Sequence, residues 1–117
     1  MKILIVEDNV EMRRLLRSIV ADLADSITEC SDGDEAVAAY QAGHFTEADR
    51  VLMDLHMPHV NGFEATRQLR AVCPEAHIII VTQDDNARSR HAAQAAGACG
   101  YVLKDNLLEL RQRLAQP

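Results

Sequence analysis

Four short stretches of this chain, Ile3–Val6, Val51–Met53, Ile78–Val81 and Tyr101–Leu103, are continuously apolar and rich in β-branched residues. A strand with one face in water alternates apolar and polar residues, so a continuous run implies a strand covered on both faces. Between these runs the apolar residues recur every three or four positions, the spacing of a helix with one buried stripe. Buried strands alternating with amphipathic helices predict an open parallel sheet with helices on both sides, wound with right-handed crossovers.

Ser26–Cys30 is more polar and alternating, which places it at a sheet edge. Asn9–Ala24 carries Met12, Leu15, Leu16, Ile19, Val20 and Leu23 on one helical stripe. A second helix, Asp32–Ala42, starts from a Ser-Asp-Gly turn and stops at Gly43. Asn61 is placed to cap the third helix, with Glu64 three residues on. The fourth, about Asn86–Ala96, is Ala-rich and stops at Gly97; the fifth, Asn106–Ala115, is expected to bury Leu107, Leu108, Leu110 and Leu114 before Pro117. The pattern is (βα)5, an α/β chain with a doubly wound five-stranded parallel sheet of expected order 2-1-3-4-5. It reads as one domain over residues 1–117, without linker, repeat or low-complexity segment.

The bulk composition agrees. A length of 117 residues suits a single domain, and 48% hydrophobic residues suffice for one core. A net charge of −6 disfavours direct contact with nucleic acid or an anionic membrane surface. No apolar run approaches the roughly 20 residues of a membrane helix, and MKILIVED reaches an acid too soon for a signal peptide. Cys30, Cys73 and Cys99 are odd in number and widely spaced, so they are read as reduced core residues of a cytoplasmic protein. Cys73 with His77 lacks two further zinc ligands, and His56 and His59 flank Pro58 without making a metal pair. His44, His77 and His91, and the arginine faces Arg13-Arg14-Arg17 and Arg88-Arg90, are read as solvated; Gly43, Gly97 and Gly100 as caps and turns.

In a doubly wound sheet, ligands bind beyond the carboxyl ends of the strands, at the point where strand order reverses. Here the first strand ends in Glu7-Asp8, the third in Asp54, the fourth in Thr82 and the fifth in Lys104. Adjacent carboxylates raise one another's pKa, and a hard divalent cation such as Mg2+ relieves the repulsion. A lysine and a hydroxyl complete a phosphoryl site that needs no glycine cradle. The segment VEDNVEMRR contains no glycine, which argues against a P-loop, dinucleotide or flavin-phosphate loop. An aspartate beside a metal is a nucleophile that forms aspartyl phosphates, and the stiff Met57-Pro58 turn would hold the His56 carbonyl toward the metal.

These residues resemble the receiver domain of bacterial two-component response regulators, over VEDN, VLMDLHMPHVNGFE, IIIVT and AAGACGYVLK. The resemblance implies a flavodoxin-like fold, with Asp54 as phosphoacceptor, Asp8 as a direct Mg2+ ligand and Glu7 acting through water. The His56 carbonyl would complete the protein ligands, Thr82 and Lys104 would hold the phosphoryl group, and Tyr101 would be the switch aromatic. It implies a signalling domain that assists its own phosphorylation and dephosphorylation, not an enzyme with a separate substrate. The donor would be a sensor histidine kinase or phosphotransfer protein. The output domain or protein, and a phosphorylation-dependent homodimer, would use the surface of the fourth helix, fifth strand and fifth helix. An aspartyl-phosphate hydrolase of the haloacid-dehalogenase type is the alternative, but it calls for a second Asp where His56 stands.

Two departures from the receiver pattern stand out. Gln83 occupies a position that is usually small, and Asp105 one that is commonly a proline with a cis bond; here a trans bond is expected. The Lys104-Asp105 pair resembles receivers that precede a helix-turn-helix DNA-binding domain, so the output is expected to be transcription, and Pro117 as readily begins a linker as ends a protein. His56, Gln83 and Asp84 are expected to border the approach of a hydrolytic water and so to modulate the lifetime of the phosphoryl group.

Overall fold

The computed structural model describes residues 1–115, and the reading of Pro117 lies outside them. Five strands alternate with five helices: β1 Lys2–Val6, α1 Val10–Val20, β2 Ser26–Cys30, α2 Ala36–Ala42, β3 Arg50–Met53, α3 Gly62–Val72, β4 Ile78–Thr82, α4 Ala87–Ala96, β5 Gly100–Leu103 and α5 Leu107–Leu114. A short 3-10 helix, Gly33–Glu35, leads into α2. Every strand pair is parallel, as the apolar runs predict, and the order is the expected β2-β1-β3-β4-β5.

Successive side chains of a strand point to opposite faces, so each continuous run feeds two layers. Leu4, Val6, Val51, Met53, Ile78 and Ile80 meet Ala36, Tyr40, Ala65, Leu69 and Ala93 from α2, α3 and α4. Ile3, Ile5, Leu52, Ile79, Val81 and Val102 meet Leu16, Val20, Leu110 and Leu114 from α1 and α5. Each such aliphatic side chain contributes roughly 1.5–3 kcal/mol when fully buried. The edge strand β2 keeps the exposed and half-buried pattern that its polar sequence requires.

Several boundaries differ from expectation. α1 stops at Val20 because the chain must reverse to reach β2: Leu23 N–H closes a tight turn on Val20 O, and Asp25 N–H reaches Met1 O. The Ser-Asp-Gly turn opens a 3-10 helix rather than α2 itself, with Asp32 accepting from the Asp34 amide. Gly43 does cap α2, yet at φ −83°; the left-handed residue is His44, at φ 54°. Gly97 adopts φ 111° at the end of α4, a conformation that suits glycine. Leu108 is 66% exposed, because α5 is short and turns only the Leu107, Leu110 and Leu114 stripe inward. Leu15 and Cys99 are also exposed, so Cys99 is not a core residue, whereas Cys30 and Cys73 are. All peptide bonds among the described residues are trans, including Lys104-Asp105.

Candidate functional site

Register brings the strand ends together. Val6 pairs with Met53, so Glu7 and Asp54 leave the sheet side by side, and the Asp54 amide still bonds Val6 O at 2.9 Å. Thr82 pairs with Leu103, which sets Lys104 one step past the sheet with its amide on Thr82 O at 2.8 Å. The Lys104 ammonium then lies 2.8 Å from Glu7 Oε1 and 3.1 Å from Asp54 Oδ1. Carboxylate oxygens of Glu7, Asp8 and Asp54 all lie within 4.8 Å of one another.

Burial makes this arrangement electrostatically uneven. Glu7 is 1% exposed and Asp54 5%, while Asp8 is open to solvent. Burial, reinforced by the nearby Asp54 charge, pushes the Glu7 carboxyl up to about 7, against Lys104 and the Asn9 amide, which pull it down. Burial also raises Asp54 above the ordinary carboxylate range, with Lys104 opposing. Burial alone would lower Lys104, but Glu7 and Asp54 more than offset it and hold the ammonium above its usual value. One ammonium thus serves two of the three clustered carboxylates. Lys104 pairs with Glu7 Oε1 by charge at 2.8 Å but outside hydrogen-bond geometry, and this buried oxygen has no other donor. An acceptor-only oxygen short of donors, beside two more carboxylates at the foot of a cleft of about 460 Å³, fits a hard, oxygen-seeking cation.

The other predicted residues gather around this cleft. Gln83 and His56 line it, and His56 Nε2 sits 2.7 Å from Asp84 Oδ2, bridging the loops that follow β3 and β4. Thr82 is fully buried, and its hydroxyl accepts the Asp84 amide at 3.2 Å. The Tyr101 hydroxyl donates to Asp84 O at 2.7 Å, and its ring is already packed inside.

His59 lies apart from His56, 3.5 Å from Asp32, and no metal-competent cluster among the described residues includes Cys73 or His77. His44 and His91 are exposed, His77 half-buried, and Arg14 and Arg88 solvated as expected. Arg13 and Arg17 are not free cations: both pair with Glu29 of β2, and Arg13 also donates to Glu7 O at 2.8 Å. Arg90, read from the sequence as part of a solvated face, is engaged instead: its guanidinium stacks 4.6 Å above the Tyr101 ring while bonding Asp85 at 3.1 Å. Sequence reasoning passed over Asp32, whose only signal was the Ser-Asp-Gly turn.

Acids, an ammonium and a hydroxyl at the switch point of a doubly wound sheet define a class of flavodoxin-like domain, one whose site is built to hold a small charged group. The chain belongs to the response regulator receiver domain family, whose profile matches residues 3–115. It is 36% identical over 103 residues to the chemotaxis protein CheY of Halobacterium salinarum, covering 88% of this chain and 83% of that protein. It is 32% identical over 120 residues to the nitrate/nitrite response regulator protein homolog of Haemophilus influenzae, covering 99% of this chain but only 57% of that relative. Among solved structures it is similar to a LuxR-family two-component response regulator from Aurantimonas, with 30% identity, TM-score 0.83, and 97% and 84% of the two chains covered. It is also similar to a structure of the yeast phosphotransfer protein Ypd1 with the receiver domain of Ssk1, with 26% identity, TM-score 0.85, and 97% and 86% covered.

Proposed function

We propose that this domain is a phosphorylation switch whose phosphoacceptor is Asp54. The observation that carries the reading is the Glu7–Asp8–Asp54 cluster with Lys104 between two of its members, at 2.8 and 3.1 Å. An Asp54 oxygen attacks the phosphorus of a phosphohistidine on a sensor kinase or phosphotransfer protein. The new P–O bond forms as the P–N bond breaks, and the departing imidazole takes up a proton. Lys104 holds a phosphoryl oxygen and balances the charge that develops there, and the Thr82 hydroxyl, which now accepts the Asp84 amide, turns to donate to a second phosphoryl oxygen. Asp8, Asp54 and the His56 carbonyl would hold Mg2+, with Glu7 acting through water; the ion, when bound, neutralises the acids and polarises the phosphoryl group. Hydrolysis reverses the load: water attacks the phosphorus in line, and Asp54 leaves as a carboxylate. His56, Gln83 and Asp84, at the mouth of the cleft, set how readily that water arrives.

Output is proposed to pass through Tyr101 to the surface of α4, β5 and α5, for a cytoplasmic partner, an attached output domain or a second copy. Relatives include a chemotaxis protein and a LuxR-family regulator, which supports a signalling output and leaves transcription as the finer proposal. The hydrolase alternative gains no support, since residue 56 is a histidine paired with Asp84 rather than a second acid.

Acetyl phosphate with Mg2+ is the direct test. Label is expected on Asp54 alone, labile in alkali and absent from Asp54→Asn. Label mapped elsewhere, for instance on Ser89, would overturn the assignment.

A further inference from the structure

Asp32 is a buried acid outside the cluster just described, and its carboxylate is taken up mainly by backbone amides, with the His59 ring 3.5 Å away. Only 5% exposed, it accepts from the His59 amide on Oδ2 at 3.0 Å, and on Oδ1 from the Val60 amide at 2.9 Å and the Asp34 amide at 3.4 Å. No other acceptor among the described residues takes the amides of His59 or Val60. Its neighbour presses on the same segment from below: a Cβ added at Gly33 would meet Val60 O at 2.4 Å. Burial alone would raise the Asp32 pKa, but the His59, Val60 and Asp34 amides outweigh it, so the carboxylate is held ionised and ready to accept.

The segment held in this way is the loop 54–61. At its start the Asp54 amide bonds Val6 O, and the Leu55 and Met57 side chains are buried. At its end the Gly62 amide returns to Leu55 O at 2.9 Å and Asn61 caps α3. Between them His56 and Pro58 are exposed, and the backbone at residues 59 and 60 is tied by Asp32.

We infer that Asp32 is a positioning residue for the cation site, fixing the loop that carries His56, whose carbonyl is the ligand proposed beside Asp54. The inference rests on the receiver reading above. Asp32 touches neither cation nor phosphoryl group; it acts through the backbone of His59 and Val60. Groups that hold a metal's ligands in place change metal affinity by about 10–100-fold when removed.

The test is titration of the purified domain with MgCl2, followed by calorimetry and by amide shifts of His56 to Val60. Asp32→Ala is expected to raise the Mg2+ Kd about tenfold. Its rate of labelling by acetyl phosphate should return to the wild-type value at saturating Mg2+, because no group that touches the phosphoryl is lost. Asp32→Asn keeps one acceptor oxygen and should fall between the two. Asp49→Ala is the matched control. Asp49 is equally buried and likewise accepts backbone amides, those of Lys2 at 2.6 Å and Thr46 at 2.8 Å, at the opposite, amino-terminal end of the strands. It should lose thermal stability without losing Mg2+ affinity. An unchanged Kd in folded Asp32→Ala would overturn the inference, as would an equal rise in Asp49→Ala. If Asp32→Ala does not fold, Asp32→Asn decides by the same comparison. Wild type that binds no Mg2+ at all would bring down the receiver reading of the acids, a different result.

Discussion

Asp84 has all of its polar groups engaged. Its amide bonds Thr82, its carbonyl accepts from Tyr101 and its carboxylate meets His56. The last pair is largely solvent-exposed and contributes little to stability, about 0–1 kcal/mol. Its effect is expected on rate instead, because His56 lines the cleft beside Asp54, through which a hydrolytic water is proposed to approach. Asp84→Ala removes a group that orients this water and should lengthen the lifetime of the phosphorylated state. Gln83→Ala opens the cleft and should shorten it. A tenfold change corresponds to about 1.4 kcal/mol of barrier, which one misplaced hydrogen bond can supply. Decay of radiolabel at fixed Mg2+ measures both, and rates within about twofold of wild type for each would show that these residues do not set the clock.

At the scale of elements, the loop between β4 and α4 joins the site to the proposed output surface. Thr82 accepts the Asp84 amide and Tyr101 donates to the Asp84 carbonyl, while Arg90 of α4 stacks on the Tyr101 ring and returns to the loop through Asp85. The receiver resemblance makes Tyr101 the switch aromatic. In the structure the ring is already inside, so the proposed signal is a release: Thr82 lets go of the Asp84 amide when it turns to a phosphoryl oxygen, and the loop and Tyr101 repack, shifting a two-state equilibrium. Thr82→Ala should still take up label at Asp54 but leave the amide shifts around Tyr101 unresponsive. Identical shifts in wild type and Thr82→Ala would show that the coupling runs elsewhere. Asn61, which caps α3, was legible from the sequence because a cap is made within four residues, and Asn9 and Asn86 cap α1 and α4 in the same way. Arg90 on Tyr101 was not, since that contact depends on how α4 lies against β5.

For the whole molecule, the site is a cost carried by the core. A domain of this size is stable by only about 5–15 kcal/mol, so burying Glu7 matters. Its carboxyl titrates near 4.5 in an unfolded chain and at about 7 in the fold, so between those values the folded chain keeps a proton that the unfolded chain has lost. Stability of the metal-free protein therefore falls as pH rises from about 4.5 to 7, by at most about 3 kcal/mol from this group. Asp54, raised for the same reason, acts in the same direction. Urea unfolding in EDTA should show a lower midpoint at pH 7.5 than at pH 5, Mg2+ should restore the loss, and Glu7→Gln should flatten the profile. A flat profile in the wild type would mean that water reaches Glu7 and the burial cost is absent.

The sequence by itself determined the layers, the strand order and the convergence of Glu7, Asp8, Asp54, Thr82 and Lys104 at one edge. Those follow from periodicity and crossover handedness, which act over a few residues or constrain every chain alike. Only the tertiary structure decided which long-range partners meet: Lys104 shared between Glu7 and Asp54, Asp32 closing on amides 27 and 28 residues away, Arg13 reaching Glu7 O. It also decided that Leu15, Cys99 and Leu108 face outward despite their apolar character. Such contacts depend on where loops and short helices come to rest once the sheet is formed, and the polarity of a residue does not carry that information.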